Sequence, residues 1–195
     1  GVINIKRGHY EFDMKGQEGA CIGSVNGDSE LFIEYCDMDI YSGISNGTII
    51  GSVNGDADIK LENISAKLQG AGNIITGIGT IAGNSCMVRL ENVNISSNIR
   101  AKECYGIGCR AGRTDIYIGY AAVKSVVQGK AAVAFGNSVM SAKLYCSNAD
   151  IGTNAVTEFN SDIGALEKNI QLENGRAEFI LNGQEVKRQI LAARL

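Results

Sequence analysis

The chain has 195 residues, a net charge of −3, 25 glycines and no proline or tryptophan. Such a length can bury a substantial core, and the weak charge leaves no basic footprint for direct nucleic-acid binding and no acidic tail. The lack of proline argues against a Pro-rich linker or collagen and suits a backbone committed to strand ladders, and no apolar run is long enough for a membrane span.

From the start the chain reads as strand. Gly1-Val2-Ile3-Asn4-Ile5 already alternates, with no leader evident ahead of it, which points to a segment of a longer protein with Gly1 an added residue. The charged stretch Lys6–Asp13 departs from the pattern that follows, so residues 1–18 are expected to form an atypical N-terminal coil or cap.

Regular repetition begins after that point. The string GSVNGD occurs at Gly23–Asp28 and again at Gly51–Asp56. Pairs of apolar residues one position apart recur as Ile3/Ile5, Leu31/Ile33, Ile59/Leu61, Val88/Leu90, Ile116/Ile118, Ala142/Leu144 and Ile170/Leu172, their first members stepping by 28, 28, 29, 28, 26 and 28. Two glycine rows keep pace: Gly27, Gly55, Gly83, Gly112 and Gly136, and Gly23, Gly51, Gly79 and Gly108. Ile59-Lys60-Leu61-Glu62 has the alternation of a half-buried strand, and no unit carries a helical apolar stripe. A unit this short cannot close a core alone, so neighbours must stack. The fold expected is all-β: a single-stranded parallel β-helix of six to seven coils of about 28 residues, one domain with regular coils over 19–174.

Asn63, Asn92 and Asn174 share one register, with Tyr35, Tyr120 and Cys146 as replacements, and asparagine suits a left-handed corner. Cys36, Ile64, Val93 and Ala121 follow at an inward position. The end of the chain, 175–195, is expected to be a cap: Arg176–Leu181 and Gln184–Ile190 joined at Asn182-Gly183 read as a hairpin, with a short helix over Val186–Leu195 as the alternative.

The six cysteines fall within the repeat rather than in pairs. Cys21 aligns with Ile50, Ile78 and Ile107, and Cys36 with Ile64 and Val93, so buried free thiols are expected rather than disulfides or a metal site. Free thiols fit a cytoplasm, or the outside of an anaerobic cell.

Some motifs are explained by the repeat itself. Gly77–Ala82 and Gly106–Ala111 match a dinucleotide-binding pattern, but strand-like sequence follows each where a helix is required. The register Asp28, Asp56, Asn84, Arg113, Asn137 starts like a calcium-binding turn and decays into one that would repel a cation. No cofactor or metal is expected.

Chemistry concentrates on one strand face. Glu34, Glu62 and Glu91 share a register and should stack one strand spacing apart, about 4.8 Å. Mutual repulsion would raise their pKa values and make a general acid or a cation site. Against this, the row Phe32, Lys60, Arg89, Tyr117 and Lys143 lies on the same face and would neutralise the acids as an ordinary soluble surface. Tyr117 and Tyr145 lie there in adjacent coils, Gly119 opens space beside Glu91, and Arg89 and Lys143 flank them. Aromatic faces beside charges hold sugars or peptide strands.

The recurring pattern Ile-Gly-Ser-x-x-Gly-x-x-x-Ile-x-Leu-Glu-Asn resembles the glycine-rich right-handed β-helix repeats of many gut-anaerobe proteins, related in shape to pectate-lyase-like and carbohydrate-binding β-helices. The resemblance implies a fold, and through the carbohydrate-binding relatives a polysaccharide or protein partner. A lyase of that shape would need an aspartate cluster and a basic residue, for which Lys60 and Arg89 stand nearest. Three functions follow as expectations. The first is a non-catalytic module binding a glycan through Arg89, Tyr117, Lys143, Tyr145, Glu62 and Glu91. The second is a sensory or assembly module of a bacterial transcriptional regulator, packing end to end on a neighbouring domain or another copy. The third is a polysaccharide lyase or hydrolase working from Glu62 and Glu91.

Overall fold

The computed structural model describes residues 1–138, 141–158, 163, 170–186 and 191–192. Among them no helix occurs, and every strand belongs to a single sheet of 13 strands. The chain winds as a β-solenoid of about 6 turns, each returning over the last after some 28 residues. In chain order the strands are β1 (Val2–Asn26), β2 (Ser29–Asn54), β3 (Ala57–Glu62), β4 (Ser65–Glu91), β5 (Asn94–Gly119), β6 (Ala122–Gln128), β7 (Ala131–Gly136), β8 (Ala142–Ser147), β9 (Asp150–Val156), β10 (Ile170–Glu173), β11 (Arg176–Leu181), β12 (Gln184–Glu185) and β13 (Leu191–Ala192). The long strands turn corners without losing their pairing, so each coil presents three faces, which in the second coil are face one over 29–34, face two over 37–42 and face three over 46–54.

Face one stacks Val2–Lys6, Ser29–Glu34, Ala57–Glu62, Cys86–Glu91, Thr114–Gly119, Ala142–Ser147 and Ile170–Glu173, all parallel. Leu31, Ile59, Val88, Ile116, Leu144 and Ile170 form one inward column of this face, each at most 1% exposed. Ile33, Leu61, Leu90, Ile118 and Cys146 form the next. Inward side chains of successive coils thus touch, and burying one such aliphatic group contributes about 1.5–3 kcal/mol.

The register corrects the sequence-based alignment of the later coils. Leu144, not Ala142, lies beneath Ile116, and Cys146 beneath Ile118. Cys146 is therefore a core residue, and the corner position assigned to it belongs to Asn148. Gly136 joins the other glycine row, directly beyond Gly108. Near the N-terminus, Ile22 rather than Cys21 pairs with Ile50. Of the two readings of 1–18, coil or cap, the pairing gives a coil that follows the path of the next one: Lys6 pairs with Glu34 and Gly8–Gly16 with Cys36–Ile44, rung for rung. Its charges change only what the side chains meet.

Two corner devices keep the coils in step. Between faces one and two, Arg7, Tyr35, Asn63, Asn92, Tyr120, Asn148 and Asn174 all take positive φ, from 47° to 57°. Their backbone N–H groups still reach the next coil, as Asn63 to the Glu91 carbonyl, Asn92 to Gly119 and Tyr120 to Ser147. At the end of face three, Gly51 and Gly79 have φ of 138° and 140°, and a Cβ on Gly79 would stand 1.7 Å from the Gly108 carbonyl oxygen. Only glycine fits there. The aspartates of the calcium-like register cap the next corner instead: Asp28 Oδ1 accepts from the Asp56 N–H, and Asp56 Oδ1 from those of Asn84 and Ser85. The dinucleotide-like glycines Gly77, Gly79, Gly106 and Gly108 lie on face three, in β4 and β5.

All six cysteines are free, five buried and Cys21 half-buried. At the C-terminal end, β11 pairs with β9 and then turns at Asn182 (φ 50°) and Gly183 (φ 79°) into antiparallel β12. This is the expected hairpin, although its continuation over 187–190 lies outside the described residues. Of the alternative helix, Leu191–Ala192 is strand, paired with β10.

Candidate functional site

Two columns of outward side chains descend face one. The first runs Phe32, Lys60, Arg89, Tyr117, Tyr145 and Gln171, and the second Glu34, Glu62, Glu91, Gly119, Ser147 and Glu173. Strand alternation points both away from the core, and parallel pairing sets neighbours one strand spacing apart. From Lys60 and Glu62 down to Gln171 and Glu173 the columns border a groove of about 470 Å³.

The groove owes its form to small residues in the second column. A Cβ on Gly119 would lie 2.3 Å from Glu91 Oε2, so the Glu91 carboxylate extends along the column and rests over Gly119. Ser147 keeps the following rung low. Beside these two rungs the Tyr117 and Tyr145 rings stack, with centroids 5.1 Å apart and planes 7° from parallel. Tyr117 remains 41% exposed, so the pair presents a flat aromatic edge to solvent.

Of the residues singled out from the sequence, Arg89, Tyr117, Tyr145, Glu62 and Glu91 all line this groove. Lys143 does not. It pairs with Asp115, on the outward row two residues before the tyrosine column, because the register in the last coils is displaced by two residues from the sequence alignment. The place expected for Lys143 beside Tyr117 is held by Tyr145. Gln171, Glu173 and Ser147 were missed for the same reason, although the spacing of 28 from Tyr117 to Tyr145 and from Tyr120 to Asn148 carried the correct register.

Charges pair along and across the coils. Lys6 Nζ lies 2.7 Å from Glu34, Lys60 Nζ lies 2.7 Å from Glu62, and Arg89 Nη1 lies 2.6 Å from Asp58. The hydrogen bond from Lys6 holds the Glu34 carboxyl below the ordinary carboxylate range. Stacked repulsion was expected to raise it, but a cation on the neighbouring coil reverses the sign. The bond to Glu62 likewise moves Lys60 above the usual amine value. Glu62 and Glu91 occupy adjacent rungs, yet their carboxylates diverge, one held by Lys60 and the other over Gly119.

A second, wider groove of about 990 Å³ lies on face two, bordered by Ser96, Lys124, Asp150, Gly152, Arg176 and Glu178. Arg176 pairs with Asp150 there at 3.0 Å, and its lining contains no aromatic platform. Among the described residues no group of three or more His, Cys, Asp or Glu is placed to hold a metal ion. No helix of the described residues is long and apolar enough to cross a membrane.

No protein-family model matches this chain, and neither does any curated protein or any solved structure.

Proposed function

We propose that the chain is a non-catalytic binding module that holds a glycan along face one, in the groove bordered by the stacked Tyr117 and Tyr145. The observation that carries this reading is the aromatic pair itself: two rings, parallel and partly exposed, beside a floor lowered by Gly119 and Ser147. Pyranose rings carry apolar C–H faces and polar rims, which match an aromatic platform bordered by carboxylates, an amide and a hydroxyl. Here the rims would meet Glu91, Glu173, Gln171 and Ser147. The resemblance expected from the sequence, to glycine-rich β-helix repeats related in shape to carbohydrate-binding β-helices, motivates the same reading. The divergence of Glu62 and Glu91 supports binding over hydrolysis, which requires two carboxylates converging on one bond.

A glycan array followed by affinity electrophoresis tests the reading. Tyr117→Ala and Tyr145→Ala should each weaken retention by about tenfold or more, since stacked aromatic contacts concentrate binding energy. Both positions are outward, so thermal unfolding should shift little. Retention unchanged in both variants overturns the site.

A further inference from the structure

The groove is unbalanced in charge. Both cations on its border are already engaged, Lys60 with Glu62 inside it and Arg89 with Asp58 outside it. Two carboxylates remain. Neither the Glu91 nor the Glu173 carboxylate forms a hydrogen bond or ion pair among the described residues, and both residues border the groove. They stand three rungs apart in one column, Glu91 to Gly119 to Ser147 to Glu173, with the tyrosine pair alongside the two rungs between them. Three strand spacings, about 14 Å, separate their backbones, too far to share one ion and long enough for more than one sugar ring.

We infer that the groove selects a cationic glycan, one carrying free amino groups on its sugar rings. The inference rests on the glycan-binding reading and narrows it. Each pyranose would lie against the Tyr117 and Tyr145 edge, with one ammonium reaching Glu91 over Gly119 and a second reaching Glu173. An ammonium beside an aromatic face and a carboxylate gains from both. A uronic-acid polymer would set its own carboxylates against Glu91 and Glu173 and is disfavoured. N-acetylation removes the charge and fills the space above Gly119.

The test is isothermal titration of the whole chain at low salt with four probes: a glucosamine tetramer, its fully N-acetylated form, tetragalacturonate and tetralysine. The glucosamine tetramer should bind about tenfold tighter than the acetylated one, with no binding of tetragalacturonate. Glu91→Gln and Glu173→Gln, isosteric changes at carboxylates without an ion pair, should each erase most of that preference by weakening the glucosamine tetramer far more than the acetylated one. Equal binding of both glucosamine forms, lost together in Tyr117→Ala, overturns the charge selection but leaves the glycan reading standing. Tetralysine binding as tightly as the amino sugar overturns it in favour of a basic peptide. If no sugar binds, this inference falls together with the reading beneath it.

Discussion

Tyr120 lies in a left-handed backbone conformation at φ 47° with its side chain 64% exposed. An L-residue with a bulky side chain is strained there, and exposure offers little packing to offset it. The neighbouring corners carry asparagine, whose short amide tolerates this geometry, and the Asn92 side chain donates to Asn63 Oδ1. Tyr120→Asn should therefore raise stability by about 0.5–1 kcal/mol, read as a higher urea midpoint with unchanged slope. Tyr35, in the same conformation, differs because the Arg7 guanidinium lies over its ring at 5.8 Å. Corner asparagines were legible in the sequence because each acts locally. Whether a corner tyrosine has company depends on the coil above.

The inward rows of β5 and β8 carry thiols where other coils carry aliphatics. Burial pushes Cys104 up to about 11 and Cys146 up to about 12, against an ordinary value of 9.0. Both therefore stay protonated in the folded strands at pH values where the unfolded chain has begun to ionise them. Their contribution is full below pH 9, and it is lost progressively as pH rises from there through the folded values. The urea midpoint should fall between pH 9 and 11, with one such thiol contributing up to about 1.4 kcal/mol per pH unit. Cys146→Ala should be less stable at pH 7 but show a shallower decline, and an unchanged slope would contradict the burial of this thiol. Neighbouring Cys109 is held differently, its thiol 2.9 Å from Thr114 Oγ1. That cysteines fill core positions followed from their place in the repeat, but which position Cys146 fills did not.

At the scale of the molecule the solenoid is a stack of near-equivalent turns whose stability is a sum of neighbouring interfaces. β1 and β3 both pair with β2 in the same register, Leu31 between Ile3 and Ile59 and Ile33 between Ile5 and Leu61. Removing Ser29–Asp56, one complete turn, would join Asp28 to Ala57 and set Ile3 on Ile59. The shorter deletion Ser29–Ser42 takes away faces one and two of that turn and leaves face three without its approach. The larger deletion should keep a β-type circular-dichroism spectrum and a cooperative melt, and the smaller should lose the melt. The reverse order would contradict the stacking. The solenoid also absorbs single insertions at a corner: the pairing shift between Ala82 and Ser85 takes up one extra residue without disturbing Val88 on Ile116.

The sequence by itself determined the period, the strand alternation, the glycine and asparagine corners and most of the residues that border the groove. These are repeated at each turn, and a parallel ladder stacks like on like, so the chain states them many times over. Only the tertiary structure decided the register of the last coils. A slip of two residues leaves the inward and outward pattern intact, so alternation is blind to it, and only the pairing of Ile116 with Leu144 brings Tyr145 onto Tyr117 and removes Lys143 from the groove. It also decided which charges meet. Arg89 turning to Asp58 and Glu91 lying over Gly119 depend on the reach of side chains between coils, which spacing along the chain does not encode.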